Sequence, residues 1–308
     1  MFENPFHIED IQVFDDVTLR CMLEEGGFGL SVENLAWSLQ GAPRSLVARI
    51  KRCLPPAQHK LFRELARQPV ALEKCQAARR QVLDALFWEL TYWKTPELYE
   101  ELTEGEQIHP GIFQRLEPDI RGKVVLDAGA GSGRATLECL RQGAARVHAV
   151  EPSPGLLRIL KQKCERQPAG SRVLPCQGRF DAIPLEDNSV DLALSCSAFT
   201  AAEEQGGDTG LAELKRVTRP GGKIVLIWTR AEDQEWLATQ GFQRHVLPAP
   251  RQMGVRFRSM RSALRVARRF YARNQAVMRH LLRQREPEVP FSVLGVNPPC
   301  DYCWLIVT

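Results

Sequence analysis

In the first third of the chain apolar residues recur three and four apart, whereas beyond residue 123 short unbroken apolar runs alternate with helical stretches. From Phe6 to about Trp93 no apolar–polar alternation of the strand type occurs. Asp15-Asp16 can cap a helix running through Leu19, Met22 and Leu23. Residues 35–39, 46–50 and 61–66 head three more, and residues 72–90 predict the longest, with Leu72, Cys75, Ala78, Val82 and Leu86 on one stripe. Gly26-Gly27, Gly41 and Pro55-Pro56 separate them. A polar connector follows with two helical pieces, 95–102 and 110–116, each with Pro in its first turn. Five runs of strand length come next, at 124–127, 147–151, 173–176, 191–195 and 223–228, with helices between them. Residues 242–247 read as a sixth strand and 302–307 as a seventh. Strand and helix in alternation predict a parallel sheet covered by helices, with ligands at the carboxyl ends of the strands. The chain is therefore expected to be α/β behind an all-α domain, with domains at 1–94 and 95–308. Before the last strand, a stripe of Leu264, Ala267, Phe270 or Tyr271, Val277 and Leu281 predicts one long amphipathic helix within an insertion at about 251–285.

Composition adds limits to this picture. A chain of 308 residues can bury a core in each of two domains. No run approaches the roughly 18 apolar residues that would span a bilayer, and the acidic start is unlike a signal peptide, so a soluble, cytoplasmic protein is expected. Nine cysteines, an odd number scattered singly, predict free thiols. Cys300-x-x-Cys303 lacks the second pair that a zinc site needs, and no metal is expected. Basic and acidic residues number 12 and 17 over 1–110, but 12 and 6 over 231–308. Eleven arginines and no acid fall within 251–285. That basic face is expected to be solvated or docked on the acidic N-terminal domain; nucleic acid or a membrane surface is the less favoured occupant.

Residues 123–134 carry the sharpest chemistry: an apolar run, Asp127, then glycines at 129, 131 and 133 before Arg134. Glycine suits such a turn because it adopts positive φ and lets a ligand approach the backbone, and the helix that follows offers unpaired N–H groups. A dinucleotide fingerprint would need its third glycine at 134. Arg stands there, and Glu151 ends the next strand, where an acid usually binds ribose hydroxyls. With GRFDAIPL at 178–185, SVDLAL at 189–194 and LKRVTRPGGKIVL at 214–226, these residues resemble the S-adenosylmethionine-binding core of class I methyltransferases. The resemblance implies a Rossmann-like seven-stranded sheet whose last strand is an antiparallel edge, and S-adenosylmethionine as cofactor. It implies that the backbone over Gly129, Ala130, Gly131 and Gly133 holds the donor's amino-acid end and that Asp127 reaches its amino group. Glu151 would accept the ribose hydroxyls and Pro152 would lie against adenine. Arg179 and Phe180 stand where the family usually has Asp-Ala at the adenine edge; Phe180 can donate its N–H and stack, and Asp181 is the substitute acceptor. Ser195 and the residues after it sit where acceptor chemistry is usually placed. They lack the Asn/Asp-Pro-Pro-aromatic motif of adenine and glutamine N-methyltransferases, and Cys196 lacks the preceding Pro of a cytosine-C5 nucleophile. The Asn297-Pro298-Pro299 run reads as a loop. Tyr99, Glu106 and His109, in the connector that commonly roofs the cofactor, are the candidates for the donor's methionine end or the acceptor. Tyr99 and His109 are the catalytic candidates, His109 first as general base, while His148 reads as core.

A second resemblance covers about residues 6–90. Ile8-Glu9-Asp10-Ile11, Phe14-Asp15-Asp16, Leu35-Ala36 with Leu39, Gly41-Ala42, and Pro69-Val70 with Leu72 and Ala78 are spaced as in the C-terminal domain of the FliG-type flagellar motor switch protein. It implies an armadillo-like helical array that serves as a protein-interaction module. The combined expectation is an S-adenosylmethionine-dependent methyltransferase with an unidentified acceptor and a protein partner for its N-terminal domain. The alternative is a non-catalytic protein that binds S-adenosylmethionine or a partner and is related to the motor switch.

Overall fold

The computed structural model describes residues 4–24, 27–248 and 253–308. Gly26 of the expected break and Arg251 of the basic run lie outside them. The chain divides into two compact units between Pro96 and Glu97. The first is helical, with α1 (Asp16–Met22), α2 (Val32–Ser38), α3 (Arg44–Cys53), α4 (His59–Arg67), α5 (Leu72–Ala85) and α6 (Phe87–Lys94) following a 3-10 stretch, Ile8–Val13. Asp15 caps α1 by accepting from the Thr18 N–H at 2.7 Å, and Ser31 caps α2 through Asn34. Phe14, Leu19, Leu46, Ile50, Phe62, Val82 and Phe87 are fully buried within this unit. The single helix expected over 72–90 is two helices. Leu86 leaves helical geometry (φ −94°, ψ 11°) with its side chain in the core, and a new apolar face begins at Phe87 and Leu90. Leu72, expected on the buried stripe, opens α5 and is 69% exposed.

In the second unit α7 (Pro96–Thr103) and α8 (Pro110–Ile120) precede β1 (Val124–Ala128), α9 (Arg134–Arg141), β2 (Arg146–Glu151), α10 (Pro154–Glu165), β3 (Val173–Gln177), β4 (Val190–Cys196), α11 (Gly207–Val217), β5 (Thr218–Ile227), α12 (Gln234–Thr239) and β6 (Gln243–Val246). Then come β7 (Gly254–Arg256), α13 (Met260–Phe270), α14 (Gln275–Gln284), β8 (Glu288–Pro290), α15 (Phe291–Leu294) and β9 (Asp301–Ile306). Seven strands form one sheet in the order β3-β2-β1-β4-β5-β9-β6, parallel except for β9, which runs antiparallel to both neighbours. This is a mixed α/β, Rossmann-like sheet. Ile112, Leu116 and Ile120 of α8, Cys139 of α9 and Leu160 of α10 fill one face; Leu211, Leu214 and Val217 of α11 and Leu237 of α12 fill the other.

The last strand is antiparallel but not an edge, contrary to expectation. Tyr302 packs into one core and Cys303 into the other, and a strand buried on both faces belongs inside a sheet. The edge falls to β6, whose Arg244 is exposed and whose Val246 is 59% exposed; a short, charged strand suits that position.

The long basic helix is also two helices, α13 and α14, separated at 271–274. Asn274 accounts for the break. Its Oδ1 accepts from the Ala276 N–H as an N-cap, and its Nδ2 donates to the carbonyls of Val293 and Leu294. Arginines of this run are paired within the unit: Arg256 with Glu288, Arg258 with Glu104 and Arg265 with Glu101. Acids of the connector helix α7 and the residue following it thus meet this face.

Arg216 on α11 ties down the loop between β3 and β4. It donates to the carbonyls of Ile183 and Leu185 at 2.9 Å each and pairs with Asp187 and Glu213. Arg216→Ala is expected to cost about 1–2 kcal/mol of stability, since several charge-assisted bonds go while solvent screens part of the loss. A lowered urea midpoint at unchanged slope would record it.

Candidate active site

At the carboxyl end of β1 the backbone turns through Gly129 (φ +71°), Gly131 (φ +55°) and Gly133 (φ +95°), all left-handed. Side chains are excluded for two reasons. A Cβ on Gly129 would stand 2.7 Å from Ala198 Cβ and 2.9 Å from the Phe180 ring, and one on Gly133 would stand 2.3 Å from Leu160 Cδ1. Nothing lies within 4 Å of the corresponding position on Gly131, so the loop is open there. The loop is pinned to β2: the N–H groups of Gly129 and Ala130 both donate to the Val150 carbonyl, at 2.9 and 3.0 Å.

Two carboxylates face this turn from adjacent strand ends. Glu151, 5% exposed, accepts from the Gly131 N–H through Oε2 and from the Ser153 N–H through Oε1, each at 2.9 Å. It fastens the glycine loop to the start of α10. Asp127, 1% exposed, accepts from Thr136 Oγ1 through Oδ2. Its Oδ1 is buried without a hydrogen-bond partner among the described residues. Burial pushes the Asp127 carboxyl up to about 6, against the opposing pull of Thr136 and Arg134. A buried carboxylate oxygen with no donor is costly unless a ligand supplies one.

A small cavity joins Tyr99 of α7 to Asp127, Gly129, Gly131, Arg134 and Cys196. Burial, reinforced by the charge of Glu106, raises the Tyr99 hydroxyl above the usual tyrosine range. Cys196 is pushed up to about 11 by burial, so its thiol is protonated at neutral pH and is no nucleophile. At the ends of β4 and β5, Ser197 (φ +63°) and Trp228 (φ +59°) hold left-handed backbone although neither is glycine, a strain that clusters at functional sites.

Some of the expected residues are employed otherwise. The His109 Nδ1 accepts from the Gly111 N–H at 3.0 Å, so this side chain is the N-cap of α8, and the His109 backbone N–H donates to the Pro299 carbonyl. The proposed base is thus fastened as a cap, and it is not among the residues lining the cavity. Both oxygens of Asp181 are engaged by Arg179, at 2.9 and 3.3 Å, so the substitute acceptor is already taken. Phe180 packs edge-on against Phe199 and covers Gly129. Pro152 follows Glu151, and its carbonyl accepts from the Gln177 side chain. Ser195 lies buried in β4 with Oγ unpartnered among the described residues. Asn297 lies in a loop, as expected, where its carbonyl accepts from Trp228 Nε1 at 2.9 Å. Arg134 went unassigned in the sequence, although it is the residue that replaces the third glycine of a dinucleotide loop. Among the described residues no group of histidine, cysteine and carboxylate side chains could hold a metal, and no helix is long and apolar enough to cross a membrane.

Residues 125–222 match the family described as methyltransferase domain. An uncharacterised methyltransferase of Mycobacterium tuberculosis is 36% identical over 118 residues, covering 38% of this chain and 44% of that protein. One from Geobacillus kaustophilus is 31% identical over 160 residues, covering 51% of this chain and 70% of the relative. The chain belongs to the methyltransferase family. The match spans less than half the length of the mycobacterial relative. Among solved structures, an S-adenosylmethionine-dependent methyltransferase from Aquifex aeolicus is 20% identical with a TM-score of 0.41, over 49% of this chain and 92% of that one.

The residues at the strand ends fit S-adenosylmethionine, the cofactor that the resemblance of this methyltransferase domain implies. The unpartnered Oδ1 of Asp127 calls for a cationic donor such as the cofactor's ammonium, and the open side of Gly131 leaves room beside Glu151.

Proposed function

We propose that this methyltransferase binds S-adenosylmethionine across the ends of β1 and β2 and passes its methyl group to an acceptor lodged at the ends of β4 and β5, under α7. The observation that carries the reading is the buried, unpartnered Oδ1 of Asp127 beside a left-handed glycine turn. The cofactor supplies a methyl carbon on a sulfonium, open to in-line displacement. The chain has to bind, orient and exclude water. Asp127 receives the ammonium, Glu151 the ribose hydroxyls, and the backbone from Gly129 to Gly133 the amino-acid end. Pro152 and Phe180 border the adenine, with the Phe180 N–H as its donor; the carboxylate of Asp181 is held by Arg179 instead. Tyr99 closes the cavity from above. The first unit, with a core of its own, is read as a protein-interaction module on the strength of its spaced resemblance residues, with Val17 and Leu61 among its exposed apolar side chains.

Titration calorimetry of the full chain with S-adenosylhomocysteine and S-adenosylmethionine tests the reading; a folded sample that binds neither at millimolar concentration would sink it. The pH dependence is part of the expected result. The Asp127 carboxyl titrates at about 6 in the folded protein, above its ordinary 3.8. Cofactor affinity should be greatest near pH 7 and fall toward about tenfold per unit below pH 6, as the ammonium loses its partner. The stability effect has the opposite sign. A raised acid favours the folded state at low pH, so stability without cofactor should decline as pH rises from about 4 to 6, and added cofactor should raise Tm more at pH 8 than at pH 5.

A further inference from the structure

Beside the cofactor cavity lies a second one of about 330 Å³, bordered by Thr103, Glu106, Ile108, Phe113, Ser132 and Arg134. Arg134 borders both. Although it opens α9, directly after the glycine turn, its guanidinium leans toward the other half of the sheet. Nη2 is 3.9 Å from the Cys196 sulfur at the end of β4, and Cζ is 5.6 Å from the centre of the Trp228 ring just after β5. Asp127 and Glu151 end β1 and β2. The cation therefore lies across the switch point from them, on the side where an acceptor must sit to meet the methyl.

The one oxygen partner of Arg134 among the described residues is the Glu106 carboxylate. A guanidinium carries five N–H donors in a fork that matches a carboxylate, and this pair uses few of them. Glu106 is held in place by the insertion. Residues 105–107 run along β7, with the Arg256 N–H donating to the Gly105 carbonyl at 3.0 Å and the Gln107 N–H to the Gly254 carbonyl at 3.2 Å. The Gly254 N–H donates in turn to Gln107 Oε1 at 3.1 Å. Tyr271, at the break between α13 and α14, feels the charge of Glu106. Trp228 is fixed by its bond to Asn297 and by edge-on packing against Phe291 of α15. The insertion and the segment after it thus hold in place a connector carboxylate and an aromatic ring beside one half-buried cation.

We propose that the methyl acceptor is a carboxylic acid anchored through its carboxylate by Arg134, and that the insertion holds Glu106 there as an internal carboxylate which the acceptor displaces. This rests on the methyltransferase reading above. Tyr99, which lines the cavity at the glycine turn, and Trp228, beside the guanidinium, suit an acceptor whose remaining body is small and apolar or aromatic. The methionine end of the cofactor also carries a carboxylate, and the test separates the two sources.

The full chain, saturated with S-adenosylhomocysteine, is titrated with acetate, hexanoate and benzoate, each compared with its uncharged amide. At least one acid should bind more tightly than its amide by about tenfold, Glu106→Gln should strengthen that acid by about another tenfold, and Arg134→Gln, kept saturated with S-adenosylhomocysteine, should erase the preference. Absence of any acid preference in both the natural chain and Glu106→Gln overturns the proposal, and weaker acid binding in Glu106→Gln does so as well. Loss of S-adenosylhomocysteine affinity in Arg134→Gln also overturns it and assigns the cation to the cofactor. Should Arg134→Gln not fold, the Glu106→Gln arm decides alone. Failure of the natural chain to bind S-adenosylhomocysteine is read in a separate titration and overturns the methyltransferase reading together with this one.

Discussion

Glu151→Ala is expected to weaken S-adenosylhomocysteine binding by about 2–4 kcal/mol, roughly 30- to 1000-fold, because two charge-assisted bonds to the ribose are removed. A second contribution comes from the protein itself. Without the carboxylate, the N–H groups of Gly131 and Ser153 lose the acceptors that now sit 2.9 Å away, and the glycine loop is released from the start of α10. Glu151→Gln separates the two contributions. Its one carbonyl oxygen can serve only part of what the carboxylate serves, and its NH2 group faces backbone donors, so an intermediate loss is expected. Calorimetry on both variants is the measurement. Full affinity in Glu151→Ala would remove Glu151 from the site.

Gly105→Ala is expected to destabilise the second unit by about 3 kcal/mol, at the upper end of what overpacking costs. A Cβ there would fall 1.8 Å from the Arg256 carbonyl oxygen and 2.6 Å from its carbon. Backbone cannot swing aside as a side chain does, so the strand-like pairing of 105–107 with β7 has to open. Gly122→Ala is the control. Gly122, unlike Gly105, has a left-handed φ, +71°, but nothing lies within 4 Å of a Cβ at that position, so only the backbone penalty of about 1 kcal/mol applies. Urea unfolding of the two variants compares the costs. Limited proteolysis should cut within the insertion in Gly105→Ala before it does so in the natural chain.

The glycine turn and its two carboxylates were legible in the sequence because their signals are local. Asp127, three glycines two residues apart and Glu151 fall within one strand–helix–strand unit, where spacing translates directly into geometry. The surroundings of the β4 and β5 ends were not, for three physical reasons. His109 reads as a base from its residue type alone, and only the fold shows Nδ1 spent on the Gly111 N–H. Apolar periodicity continues across residues 271–274, so the stripe could not reveal that Asn274 would cap a new helix and bond to carbonyls near residue 294. Arg134 and Glu106 are 28 positions apart and meet only because residues 105–107 line up on β7. In the first unit, the split at Leu86 was hidden for the same reason as the break at 271–274: an unbroken apolar pattern does not record a change of helix axis.

The position of β9 between β5 and β6 has a consequence for the order in which the second unit assembles. The cofactor half, β3-β2-β1-β4, joins strands close in the chain, with loops that are cheap to close. β5 pairs with β4 on one side, but finds its other partner, β9, only after everything between Ile227 and Asp301 has been placed. Long-range pairings of this kind come late and slowly because the entropy of closure must be met before the contacts form. A chain still emerging from the ribosome could therefore wind its glycine turn and both carboxylates into place while Tyr302 and Trp304 were not yet available to flank β5. The first species to fold would carry the glycine turn and both carboxylates on a sheet whose β5 still lacks its β9 neighbour.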